Sequence, residues 1–449
     1  MVFAMVKSSD IIRRDKAVLS TSMTRDFDFV FKKGRGCNIW DTDGKKYLDF
    51  AAGIAVMAAG HEAPPVVAAI KKQLANATHC AFPDFYAETP LLYAETLLGN
   101  MPKPLNNGRI FFTNSGTEAV EAGVKLAKWN KRGSHMIAFD HCFHGRTMGS
   151  LSMTNSKPIQ REGFEPFLPV KHVPYPYWYR MKMEPEECSS HCLNALEKTL
   201  FELGDNCSGV FMETIQGEGG YVVPPKSFVQ GVRKLCDEHD VIMCSDEVQS
   251  GCYRTGKFLA IENFGVTPDI VAMAKGIGGG LPLGAMVARR ELMTWPPGAH
   301  SNTYGGNLLA SAAGKATLDY LKKKKAAQNA VKIGNHIMKR LNEMKDKYEH
   351  LGDVRGIGLM IGAEIVHDKK SREPAPAERE FIIHRCFDKG VIMIGAGKSV
   401  IRFCPPLIIT KAEADHGLDV FVHSLKMLHE HKKKGGKMTE PRITRDHYT

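Results

Sequence analysis

No apolar run in this 449-residue chain suits a bilayer. The longest nearly apolar stretch, Phe50 to Gly60, is rich in small residues and falls well short of the ~20 residues a spanning helix needs. The apolar segment ahead of Lys7 is too short for a signal-peptide core, so a cytoplasmic protein is expected. Metal-ligand spacing is equally scarce. The 11 cysteines are scattered, and the one close pair, Cys188 and Cys192 with His191 between them, has no second pair at zinc-type distance. No metal site is expected, and unpatterned thiols fit a reducing compartment. The net charge of +11 comes without aromatic residues interleaved among its basic runs, Lys322 to Lys325 and Lys432 to Lys434 with Lys437. These read as a solvated face and a basic tail, so no nucleic-acid partner is expected. No internal repeat is present.

What is there suits a soluble enzyme. The chain is long enough for a large domain and a smaller one. Residues 27 to 60 read as short strands with an Asp43-Gly44 turn, and helical spacing follows over Pro65 to Ala77 and Glu88 to Gly99. Short apolar runs then alternate with helices: RIFFTNSG before TEAVEAGVKLAKW, HMIAFDHCFHG, GVFMETIQGEGG before Ser227 to His239, VIMCSDEVQSG, and DIVAMAKGIGGG. Such alternation predicts a mostly parallel sheet flanked by helices. A long helical pattern from about Leu308 to Lys347 opens an α+β segment. The expected division is an N-terminal segment 1–60 packing with the small domain, a large domain 61–310, a small domain 311–433 and a disordered tail 434–449.

The chemistry-bearing residues sit where apolar runs end, which in open α/β sheets is where ligands bind. Ser115-Gly116-Thr117 opens a helix and could hold an anion, though the triplet alone is also an ordinary N-cap. Asp246-Glu247-Val248-Gln249 follows Val241 to Cys244; a mere cap is one reading, and a carboxylate against a pyridine ring nitrogen is another. Lys275 precedes Gly276-Ile277-Gly278-Gly279-Gly280. That run fits neither a dinucleotide loop, whose last glycine is replaced by Leu281, nor a P-loop. A surface lysine and a Schiff-base lysine are equally open there. Phe143-His144-Gly145-Arg146 offers an aromatic face for a planar ring and a guanidinium for a carboxylate.

The order of these motifs, with DGKKYLDF, GIAV, NSGTEAVE, FHGRT, GEGG, DEVQSG, RTG, AKGIGGGLPLGA and TYGGN, resembles the class III, omega-type aminotransferases of fold-type I, from about Asp28 to Pro406. Within that family the chain is most similar to 4-aminobutyrate aminotransferases and to a group that includes ornithine aminotransferases and amino-acid racemases. The resemblance implies pyridoxal 5'-phosphate (PLP) as cofactor, carried by Lys275 as a Schiff base, with Asp246 at the ring nitrogen. It places Gln249 near the phenolic oxygen, Val248 under the ring, Phe143 with His144 on the other side, and Glu213 in support. Ser115, Gly116 and Thr117 would hold the phosphate, completed by Thr303 from the partner of a homodimer. Ile54, Arg146, Glu218 and Arg402 would bind substrate, Glu218 and Arg402 acting as a pair that opens for a 2-oxo acid.

The chain departs from the family at Thr214, Leu308 and Gly60-His61-Glu62-Ala63-Pro64, none of which removes a catalytic group. The expected activity is ping-pong amino transfer from 4-aminobutyrate or a similar omega-amino acid to 2-oxoglutarate. The cofactor motifs are shared by racemases, epimerases, ornithine aminotransferases and lyases on this scaffold, so these stay open. A non-enzymatic basic binding protein would leave every strand-end motif unused.

Overall fold

The computed structural model describes residues 7–436 and 438. Its centre is a seven-stranded sheet in the order Arg109–Thr113, Gly284–Ala288, Ile270–Met273, Ile242–Asp246, Cys207–Glu213, His135–Phe139, Val170–Val173. Gly284–Ala288 runs antiparallel to both its neighbours, and the remaining pairings are parallel. Helices on both faces leave no wet side, which explains why the strands are near-continuous apolar runs: Cys207–Glu213 and Ile242–Asp246 are buried at every residue.

Helix Gly116–Lys131 covers one face through Ala119, Val120, Ala122, Val124, Leu126 and Ala127. Gly123 lets it lie close, since an added Cβ would stand 3.2 Å from the Phe211 ring. Ser115 caps its start by accepting the Glu118 amide at 3.3 Å, and Arg132, with φ of 61°, turns the chain out of it.

A second, antiparallel sheet is ordered Leu351–Ile357, Met360–Ile365, Val400–Phe403, Ile394–Ala396 and is backed by helices Ala326–Lys347, Pro376–Asp388 and Lys411–Lys433. The N-terminal strands Phe31–Arg35, Asn38–Asp41 and Lys46–Asp49 form a third sheet, which Val391–Ile392 joins parallel to Lys46–Asp49. Backbone pairing thus ties residues near 48 to residues near 391.

One expectation is corrected. The helical pattern Leu308 to Lys347 is two helices, Leu308–Lys323 and Ala326–Lys347, because Lys325 adopts a left-handed φ of 53° and breaks the ladder. The expected tail lies largely outside the described residues. Among the described residues no helix is long and apolar enough to cross a membrane.

Candidate active site

The parallel strands end on one edge of the large sheet, and a cavity of about 480 Å³ opens there. Asp246 terminates Ile242–Asp246, and Lys275 follows Ile270–Met273; these strands are neighbours, with Asp246 facing Ala272. The two residues are therefore brought together by one strand pairing, although 29 positions apart. Lys275 is a non-glycine residue with φ of 50°, following Ala274 with φ of −164°. Left-handed backbone at a non-glycine residue costs on the order of 1–3 kcal/mol and persists only where the surroundings enforce it. Burial pushes the Lys275 amine below its ordinary value, while Glu218 and Asp246 partly oppose the shift. Burial so directed favours the neutral amine, whose lone pair is what proton transfer needs.

Asp246 is almost wholly buried and fixed at both oxygens. One accepts the Val248 amide at 3.0 Å, and the other meets His144 Nδ1 at 2.8 Å. Burial alone would strip the imidazole of its proton. Cys142 and Asp246 outweigh that and raise His144 well above the usual imidazole range. A protonated imidazole is thus held directly behind the Asp246 carboxyl group, at 2.8 Å. Cys142 Sγ lies 2.8 Å from the Met153 carbonyl; burial would raise its thiol, but His144 and then His172 draw it down to about 6, the counterpart of its effect on the imidazole.

Glu213, at the end of the next strand, accepts the Phe143 and Gly217 amides, both at 2.9 Å; burial pushes it up to about 8 against the pull of His144. Glu247, part of the same motif as Asp246 but given no role from the sequence, is buried. It accepts the Ser250 hydroxyl at 2.7 Å and the Ala260 and Ile261 amides at 2.9 and 3.0 Å. It thereby pins the loop that presents Val248 and Gln249, and burial pushes it up to about 7.

At the other end, the cavity meets the N-terminus of Gly116–Lys131 through Ser115, Gly116 and Thr117. A Cβ at Gly116 would stand 2.7 Å from Val248, so only glycine leaves this space open. Thr117 Oγ1 is hydrogen-bonded to Ser150 at 2.6 Å and Thr147 at 2.7 Å. Phe143 and Val248 both line the cavity between its ends, and Gln249 carries a buried Oε1 with no partner.

Of the remaining expected site residues, Arg146 also lines this cavity, its guanidinium 5.5 Å over the Phe143 ring, and the others lie outside its lining. Glu218 and Arg402 face a smaller adjoining cavity, where Arg402 Nη1 meets Glu218 Oε1 at 2.8 Å and the guanidinium also donates twice to the Gly395 carbonyl, at 2.8 and 2.6 Å. Burial alone would raise Glu218, but Arg402 and then Lys157 pull it down to about 2. Lys157 lines that cavity too and was not singled out from the sequence, where nothing distinguishes it from a surface lysine. Ile54 is 46% exposed with φ of 63°, and Val56, two residues on, lines the main cavity instead. Thr303 is exposed.

An anion seat at a helix N-terminus, two apolar walls, a buried carboxylate at one end and a desolvated lysine together define a PLP-dependent enzyme of fold-type I. The match to the class-III aminotransferase family model over residues 20–425 makes the assignment definite: this chain belongs to that family. It is 40% identical over 403 residues to an acetylornithine aminotransferase of Methanopyrus kandleri, covering 89% of this chain and 95% of that one. It is 36% identical over 433 residues to an alanine/serine racemase of Pyrococcus horikoshii, covering 94% and 90%. Among solved structures, a taurine:2-oxoglutarate aminotransferase of Bifidobacterium kashiwanohense in complex with PLP and glutamate superposes with a TM-score of 0.88. It is 27% identical and covers 95% of this chain and 99% of that chain. The cofactor is PLP.

Proposed function

We propose that the chain transfers the distal amino group of 4-aminobutyrate or a similar omega-amino acid to 2-oxoglutarate. The observation that carries this reading is the Glu218–Arg402 pair at 2.8 Å beside Lys275. With the pair closed, Arg402 is neutralised and a substrate whose reacting carbon bears no carboxylate is accommodated. A 2-oxo acid needs Arg402 freed from Glu218. One site then serves two dissimilar substrates in turn, which is what ping-pong transfer requires. The M. kandleri relative and the B. kashiwanohense structure, whose names give donors with a distal amine, support the same reading.

In this scheme PLP supplies the electron sink that makes the proton on the amine-bearing carbon labile. Ser115, Gly116 and Thr117 would hold the phosphate at the helix N-terminus. Phe143 and Val248, which line the same cavity, would flank the ring. Gln249, which lines the same cavity, would donate its amide N–H to the phenolic oxygen. Asp246, backed by His144, keeps the ring nitrogen protonated. The desolvated Lys275 amine takes the substrate proton and returns it, and Arg146 holds the distal carboxylate bidentately.

The same reading includes a homodimer in which Thr303 completes the neighbouring phosphate site. Exposed aromatic side chains at Phe85 and Tyr86, and Tyr304 tilted against His79 with centroids 5.1 Å apart, support a protein-covered face beside Thr303. Eleven unpaired cysteines, only Cys80 of them not buried, support the proposal of a cytoplasmic protein.

The P. horikoshii relative favours a second reading, racemisation, in which the proton returns to the alpha carbon and no amino group moves. Mixing holoenzyme with single amino donors, without any oxo acid, separates the two. Stoichiometric loss of the cofactor's visible absorption with 4-aminobutyrate or N-acetylornithine is the expected result. Loss of optical rotation from alanine or serine with the cofactor spectrum intact would overturn it in favour of the racemase.

A further inference from the structure

A second cavity of about 510 Å³, as large as the cofactor cavity, lies between the two halves of the chain. One side is built from His141, Ser156, Tyr177 and Lys182 and the other from Glu364, Arg372 and Lys398. Its charge is unbalanced. Glu364 is already answered: Arg355 Nη1 donates to it at 2.7 Å, while Arg180 and the Tyr177 hydroxyl also bond to it, and these partners hold its carboxyl below the ordinary range despite burial. Lys182 and Arg372 then face one further lining carboxylate, Glu373, and Lys398 lines the same cavity. Neither Lys182 nor Arg372 has a carboxylate within 4.0 Å among the described residues; Arg372 donates to the Tyr179 carbonyl at 2.9 Å and lies 4.9 Å over that ring.

The wall toward the substrate site is backbone. Gly397 donates to the Glu218 carbonyl at 2.8 Å, and Gly219 and Gly397 abut so closely that a Cβ on Gly397 would stand 2.7 Å from the Gly219 carbonyl oxygen. Only glycines keep this partition one chain thick. The cavity is separate from the phosphate seat at Ser115 to Thr117 and shares no lining residue with it.

We propose that this cavity is a second ligand site, for a small multiply charged anion bearing phosphate or carboxylate groups, seated by Lys182, Arg372 and Lys398 against the Tyr177 ring. A cavity of this volume accepts a metabolite-sized molecule. Lys182 and Lys398 are exposed and Arg372 is half-buried, so the attraction comes from several cations lining one concave surface.

Isothermal titration of the PLP-loaded enzyme, whose phosphate seat the cofactor fills, with inorganic pyrophosphate and separately with citrate tests the site. Saturable binding of at least one anion, with Kd below about 1 mM, is expected. Tighter pyrophosphate marks the phosphate class, and tighter citrate the carboxylate class. A Lys182→Ala/Lys398→Ala double variant should weaken that binding at least tenfold. Arg372→Lys, which keeps the charge, should change it less than threefold. A Lys322→Ala/Lys323→Ala variant makes the same change in net charge on helix Leu308–Lys323 and should leave binding unaltered. The proposal is overturned if neither anion saturates, if the Lys182/Lys398 variant binds as tightly as the parent, or if the Lys322/Lys323 variant loses as much.

Discussion

Replacing Glu218 with Gln tests the logic of the site most directly. The substitution keeps shape and removes the charge that holds Arg402, leaving the guanidinium, 4% exposed, with the Gly395 carbonyl and the Tyr221 ring 5.8 Å away but, among the described residues, no carboxylate within 4.0 Å. Glu218 is drawn from 4.5 to about 2 against a burial penalty that opposes the shift. At ~1.4 kcal/mol per pH unit this corresponds to roughly 3 kcal/mol of favourable interaction, of which Arg402 is the largest contributor and Lys157 and Lys275 take smaller shares. About 1–3 kcal/mol is therefore the cost an incoming 2-oxo acid bears to displace Glu218, or roughly 5- to 150-fold in affinity. In Glu218→Gln the KM for 2-oxoglutarate should fall by a factor in that range. The single-turnover rate with glutamate should rise relative to that with 4-aminobutyrate. Steady-state kinetics with varied acceptor, and stopped-flow cofactor absorbance with each donor alone, read the two effects. Should both ratios stay within twofold of the parent, Arg402 is not the group that meets the acceptor carboxylate, and the switch reading fails.

Three further outcomes follow from the geometry. Lys275→Ala should lose at least about 10³-fold in kcat, since proton transfer and cofactor attachment both vanish; mass spectrometry after borohydride treatment should find no cofactor bound to the protein, and near-parent turnover would refute the assignment. Gly145→Ala places a Cβ at a φ of 133° against the Thr117 side chain, so the helix-end seat must shift. PLP affinity, measured by fluorescence titration, should fall at least tenfold, with a stability loss on the order of 1–3 kcal/mol. Acid titration should reveal the Glu218 ion pair. Because its folded pKa is depressed, its contribution is complete above the unfolded carboxylate value near 4.3 and is lost as pH falls toward about 2. Urea midpoints measured between pH 5 and pH 3 should fall less steeply for Glu218→Gln than for the parent.

Several elements were legible from local pattern alone. Apolar runs ending in polar residues marked the central strands, because a sheet covered on both faces demands continuous hydrophobicity. Strand ends in such a sheet share one edge, which is why Ser115, Asp246 and Lys275 could be grouped before any coordinate was known. The break at Lys325 was not legible: four consecutive lysines are good helix formers, and only packing of Ala326 and Ala330 on the other side fixes a left-handed residue there. The final helix Lys411–Lys433 did carry a signal that went unused, the capping box of Thr410 and Glu413. Glu247 and Cys142 gave none, since a buried acid and a buried thiol look in sequence like their neighbours.

Motif order, residue types and apolar periodicity are local properties, and they alone determined the fold class, the cofactor and the residues that line its seat. Long-range packing decided the rest. It paired Glu218 with Arg402 across 184 positions, set His144 behind Asp246 across 102, and carried Lys157 to the same side chain. It also formed a cationic cavity between segments more than 140 residues apart. Charges act through space on whatever the fold brings near, so the ionisation of Glu218, His144 and Lys275 became readable only when the chain was folded.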